Sequence, residues 1–111
     1  MGMRQTANLH YSDGGTVAVY AHWDGDDDIN ASPLAEKIRT ALKRRERWDD
    51  EGYLARIIIS AILKEDIDGA TGYGIYANSD GGAGEYPSIE VNLAEGTVNG
   101  ITYEKFIALY D

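Results

Sequence analysis

The 111-residue chain contains no cysteine. Disulfides, thiolate metal ligation and a cysteine nucleophile are thereby excluded. A chain of this length can bury roughly 65% of its unfolded surface, so it folds without cross-links or a structural metal. Long apolar runs are also missing. None approaches the ~20 residues of a membrane span, and the opening residues show no signal-peptide apolar stretch. The expectation is a single α+β domain over residues 1–111, cytoplasmic and away from membranes. Positive charge is scarce: ten Lys and Arg face nineteen Asp and Glu, for a net charge of −9. Phosphate contacts dominate nucleic-acid affinity, so this balance argues against a nucleic-acid partner. The bases are also unevenly placed. Residues 36–47 hold six bases against two acids, and the remainder holds four against seventeen. A basic helix end on an acidic body follows, a charge pattern that serves solubility and suits a basic partner or a cation.

What is present is patterned. Leu34, Ile38, Ala41 and Leu42 form one apolar helix stripe, and Leu54, Ile57, Ile58, Ala61 and Ile62 form a second. Ser32-Pro33 starts the first helix, and Asp49 or Asp50 caps the second. Trp48 stands where a hydrophobic staple residue would. Ahead of this helical hairpin, Asn8 to Trp23 reads as a β-hairpin turning at Asp13-Gly14-Gly15. Val17, Val19, Ala21 and Trp23 are predicted on one face of its second strand, and both faces are apolar enough for a central position. After the helices, Thr71–Ala77, Ser88–Leu93 and Thr97–Asn99 read as three further strands. In the first of these, Gly72 and Gly74 leave room for a close approach. A polar loop, Asn78 to Glu85, separates the first two. Thr102 caps a short last helix, Tyr103–Tyr110, with Phe106, Ile107 and Tyr110 inward. The predicted sheet is mainly antiparallel with helices on one face.

Three constellations carry chemistry. Asp24, Asp26, Asp28 and Asn30 match alternate positions of a calcium loop, but Ile29 replaces its glycine and Ala35 its bidentate glutamate. Asp24, Asp26 and Asp28 are thus weak metal candidates, and a solvated acidic loop is the plainer reading. His22 ends a strand beside Trp23 and Asp24, and the only other histidine, His10, is expected near it across the hairpin. His22 oriented by Asp24 or Asp50 would make a general base. No nucleophile elbow, zinc-helix motif or phosphate-binding glycine loop is present, and no cofactor is implied. Finally, Trp48, Tyr53, Tyr73 and Tyr76, with Arg47 and Arg56, could line a pocket that stacks a planar ligand or grips a partner, because Trp, Tyr and Arg are the residue types that dominate interfaces. Trp and Tyr serve equally as half-buried core, and Arg47 and Arg56 could simply pair with Asp49 and Asp50.

The stretches Tyr20-Ala21-His22-Trp23-Asp24-Gly25, Arg47-Trp48-Asp49-Asp50-Glu51-Gly52-Tyr53-Leu54-Ala55-Arg56-Ile57-Ile58 and Thr71-Gly72-Tyr73-Gly74-Ile75 together resemble a family of short uncharacterised proteins of bacteriophages and prophages. The resemblance implies a context, a small accessory protein in a bacterial host cytoplasm, and no activity. The leading expectation is a small acidic binding protein, not an enzyme, taking a host protein or small ligand through His22, Trp23, Asp24, Arg47, Trp48, Asp50, Tyr53 and Arg56. The alternatives are a small hydrolase or metal-dependent enzyme built on His22 with Asp24 or Asp50, and a structural or assembly component of a virion. The pattern does not fix an oligomeric state.

Overall fold

The computed structural model describes residues 3–77 and 87–110; the predicted loop Asn78–Glu85 lies outside them. In chain order the elements are β1 (Met3–His10), β2 (Thr16–Gly25), α1 (Pro33–Leu42), α2 (Glu51–Leu63) ending in a 3-10 turn (Lys64–Asp66), β3 (Tyr73–Tyr76), β4 (Ser88–Asn92), β5 (Thr97–Val98), β6 (Ile101–Thr102) and α3 (Tyr103–Ala108). The strands form one sheet in the order β3-β2-β1-β4-β5-β6. Every neighbouring pair is antiparallel except β1 with β4. The fold is α+β, with one more strand than predicted, the two-residue β6.

Register explains why the helices cover one face. Ala7 lies between Val19 and Ile89, and Leu9 between Val17 and Val91. All of these but Val17 meet Leu34, Ile38 and Leu42 of α1, Leu54, Ile58 and Ile62 of α2, and Phe106 and Ile107 of α3 in one core. The opposite face carries Thr6, Asn8, His10, Ala18, Tyr20, Ser88 and Glu90, by strand alternation. Asn8 Nδ2 donates to Glu90 Oε2 at 2.9 Å, and the Ser88 hydroxyl donates to the same oxygen at 2.5 Å.

The helix starts follow from local chemistry. Ser32 Oγ accepts from Ala35 N at 3.0 Å, Asp50 Oδ1 from Tyr53 N at 3.2 Å, and Thr102 Oγ1 from Lys105 N at 3.3 Å. Two predicted contacts are replaced. With Asp50 as the cap, Trp48 stands two residues before it and not at the staple position, and its ring packs against Tyr103 of α3 with centroids 5.2 Å apart. Tyr110 does not face inward; it is 52% exposed and lies over the Arg39 guanidinium.

The expected basic helix end is largely consumed by the fold. Arg39 has no solvent exposure at all. Its Nε donates to Phe106 O at 3.0 Å, its Nη2 to Asn30 O at 2.7 Å and its Nη1 to Glu36 Oε2 at 2.9 Å. Arg44 pairs with Glu46, and Arg45 with Glu104.

Candidate functional site

The residue run His22-Trp23-Asp24-Gly25 is built as a β-bulge. Gln5 pairs with Ala21 and Met3 with Gly25, so one residue of β1 faces three of β2. Such an insertion breaks the alternation and re-aims the side chains within it. Trp23, predicted to share the core face with Ala21, is instead 64% exposed. His22 packs edge-on against it at 4.3 Å, and His22 N donates to Gly72 O at 2.9 Å. The bulge closes on Gly25 because nothing larger fits there. A Cβ at this position would lie 2.5 Å from Met3 O and 2.8 Å from Arg4 O.

Asp24 is turned the other way. Its Oδ2 accepts from Lys37 Nζ at 2.6 Å and from the Tyr73 hydroxyl, and Lys37 Nζ also donates to the Tyr73 oxygen at 2.6 Å. Burial works against the Lys37 ammonium, but the bonds to Asp24 and Tyr73 outweigh it and raise its pKa. Burial, reinforced by Asp24, raises that of Tyr73 as well. This triad ties α1 to β2 and β3. It is a locked charge arrangement rather than a group waiting for a proton.

Beside the bulge lies an open cleft of about 670 Å³, lined by Tyr20, His22, Trp23, Asp66, Thr71, Gly72 and Tyr73. Local geometry fixes its walls. The Tyr20 hydroxyl and His22 Nδ1 share a hydrogen bond of 2.6 Å. Gly72 takes a left-handed φ of +96°, which glycine tolerates, and brings its carbonyl onto the bulge. Asp66 ends the 3-10 turn with its carboxylate over the 69–72 turn, Oδ2 being 3.8 Å from where a Gly72 Cβ would stand. The space that sequence reasoning left beside Gly74 is taken by the ring of Tyr76.

The remaining candidates lie elsewhere. Ser12, at the β1–β2 turn, donates its backbone N–H to Glu51 at 3.1 Å, which places the start of α2 at that end of the sheet. Thr16 and Asp24 are eight residues apart on β2, roughly 26 Å at strand rise. The predicted surface joining His22, Trp23 and Asp24 to the helical junction is therefore two surfaces. At the junction, Arg47 adopts a left-handed φ of 59° and stacks 5.1 Å over the Tyr53 ring. Asp50, Gly52, Tyr53 and Arg56 line a shallow cleft of about 290 Å³, and Trp48 lines another of about 360 Å³ with Tyr103 and residues of the 94–96 turn.

The catalytic arrangement sketched from sequence is not formed among the described residues. His22 bonds to Tyr20, Asp24 to Lys37 and Tyr73, and Asp50 to the backbone of α2. His10 is not near His22. It pairs with Thr16 at the hairpin end, where Nε2 donates to Glu90 Oε1 at 2.5 Å and Nδ1 is 3.2 Å from the Thr16 hydroxyl. Asp26 and Asp28 do not converge with Asp24. Their carboxylates accept from Asp28 N and Asn30 N, at 3.0 and 2.9 Å, and shape the loop. No group of three or more His, Asp or Glu able to hold a metal occurs among the described residues, and no helix among them is long and apolar enough to cross a membrane. Sequence reasoning missed Tyr20, Asp66 and Thr71. Only Tyr20, one turn of the strand from His22, carried a signal of its own.

Comparison with known proteins finds no matching family model, no matching curated protein and no matching solved structure.

Proposed function

We propose that this is a small acidic binding protein, not an enzyme, and that it binds through the cleft at the bulged end of β2. The observation that carries the reading is Trp23. A tryptophan 64% exposed contributes little to the core, its ring contact being with His22, and a two-residue bulge closed on Gly25 holds it at the mouth of a cleft. Trp and Tyr supply large, stiff contact area, and both are concentrated here. The acid–base groups nearby are already engaged with one another, which supports binding over proton transfer. The motif resemblance to phage and prophage proteins supports a bacterial host protein as the partner, met in the host cytoplasm.

The test is a comparison of capture from bacterial lysate by the wild-type protein, Trp23→Ala and Tyr53→Ala. The expected result is a discrete host protein retained by wild type and Tyr53→Ala and lost by Trp23→Ala. Retention by Trp23→Ala with loss by Tyr53→Ala would move the binding surface to the helical junction and overturn the reading.

A second reading, a virion assembly component, draws on the edge of β3. No strand among the described residues pairs with its outer side, and Ile75 is 56% and Tyr76 43% exposed. Exposed apolar edges are templates for strand pairing. This reading requires a defined oligomer in solution that Ile75→Lys dissolves, measured by light scattering.

A further inference from the structure

The chemistry of the cleft is one-sided. Its lining offers the rings of Tyr20, Trp23 and Tyr73, the His22 imidazole, the carboxylate of Asp66 and, among the described residues, no Lys or Arg. Aromatic faces are the negative part of the ring quadrupole, so aromatic rings beside a carboxylate favour a cation. Lys37 is the near exception, 4.9 Å from the Tyr73 centroid, but its charge is matched by Asp24. The Asp66 carbonyl accepts from Gly69 N at 3.0 Å, but its carboxylate makes no hydrogen bond or ion pair among the described residues, so its charge is available to a ligand. His22 is held by Tyr20 through Nδ1 and by Gly72 through its backbone, which keeps the wall in place. The net charge of −9 raises the local concentration of cations around the whole molecule.

We propose that this cleft receives an alkylammonium group, carried either by a small quaternary amine or by the side chain of a lysine in a basic polypeptide. The inference deepens the binding reading above and rests on it. An anion would meet Asp66 and the ring faces unfavourably. A neutral apolar group would fill the aromatic walls but leave Asp66 without a counter-charge. An alkylammonium satisfies both, because its methyl or methylene groups lie against the rings while its charge faces the carboxylate.

The experiment is a titration of the full chain, followed through the Trp23 indole N–H resonance, with Trp48 as internal control. Three probes are used: choline, its uncharged isostere 3,3-dimethylbutan-1-ol, and Nα-acetyl-lysine amide. Choline is expected to shift Trp23 and not Trp48, and to bind roughly fivefold or more tightly than the isostere. Asp66→Asn and Trp23→Ala, both changes at exposed side chains, are each expected to weaken choline by a similar factor. Tighter binding of choline than of the lysine derivative assigns the site to a small amine, and the reverse assigns it to a lysine side chain. Equal binding of choline and the isostere, no shift of Trp23, or indifference to Asp66→Asn would each overturn the inference. The two readings remain separable. A host protein captured in a Trp23-dependent but Asp66-independent way, with no choline binding, leaves the binding surface standing and removes the cation.

Discussion

Arg39 is the residue whose replacement tests the fold most directly. Its guanidinium is fully buried and holds three elements at once. It reaches the carbonyl of Phe106 in α3, the carbonyl of Asn30 in the loop before α1, and Glu36 one turn back on its own helix. The rings of Phe106 and Tyr110 lie 4.3 and 4.8 Å from its central carbon. Arg39→Met keeps most of the stem volume and deletes the donors. It leaves the Asn30 carbonyl without its donor and the Phe106 carbonyl with only the long 3.4 Å bond from Leu109 N, at about 1–3 kcal/mol for each lost bond. Relief of the guanidinium's own desolvation offsets part of that. The expected net loss is about 3 kcal/mol, a large fraction of the ~5–15 kcal/mol that stabilises a domain. At roughly 4 °C per kcal/mol, the melting temperature should fall by about 12 °C. Glu36 is the control, because its side chain is 53% exposed and its pairing is screened. Glu36→Gln should cost under ~1 kcal/mol. Urea unfolding followed by circular dichroism, with the m-value checked for constancy, measures both. If Arg39→Met unfolds within ~0.5 kcal/mol of wild type, the guanidinium does not tie α3 to α1 and the reasoning fails.

Three further perturbations follow from the geometry. Gly25→Ala should destabilise by at least ~1–3 kcal/mol, because the new Cβ meets the backbone carbonyls of Met3 and Arg4 at 2.5 and 2.8 Å. Its tryptophan fluorescence should also change as the bulge yields, and wild-type unfolding with an unaltered spectrum would contradict the close-approach argument. For Glu90, burial is the largest influence and acts upwards, but hydrogen bonds from Ser88, His10 and Asn8 outweigh it and hold the carboxyl below its ordinary value. A depressed folded pKa contributes stability above the unfolded value, about 4.3, and loses it as pH falls through the folded one. Wild type and Glu90→Gln should therefore converge in stability on acidification, and a constant gap from pH 6 to pH 3 would refute the linkage. Burial pushes the Tyr103 hydroxyl up to about 12. Stability should then drain from about pH 10 upward, where the unfolded tyrosine ionises first. Tyr103→Phe should flatten that alkaline slope in an absorbance-monitored titration, and an unchanged slope would remove Tyr103 as its cause.

The same physics decides which parts of this molecule were legible in advance. Helix caps are local, so Ser32, Asp50 and Thr102 announce themselves within four residues. Apolar stripes are nearly local, and they gave the two long helices and the faces of β2 and β4. Failures begin where burial and polarity disagree. The part of β1 before Asn8 was unread because Gln5 and Thr6 are buried yet look like loop residues. Arg39 occupies a core position between Ala35 and Leu42, and the periodicity was visible, but its charge assigned it to the surface. The bulge defeated alternation in a different way. Two inserted residues reversed Trp23 relative to Ala21, and the one trace of this in the chain is Gly25, whose need for closeness appears only when β1 lies beside it. The candidate site fails for a related reason. Chemistry-bearing residue types identified His22, Trp23 and Asp24 on one side and Arg47 to Arg56 on the other, but separation along the chain holds no distance between them. Asp66, the single carboxylate of the cleft, is one of nineteen acids in the sequence. It gains meaning only from the 69–72 turn that carries it to the bulge.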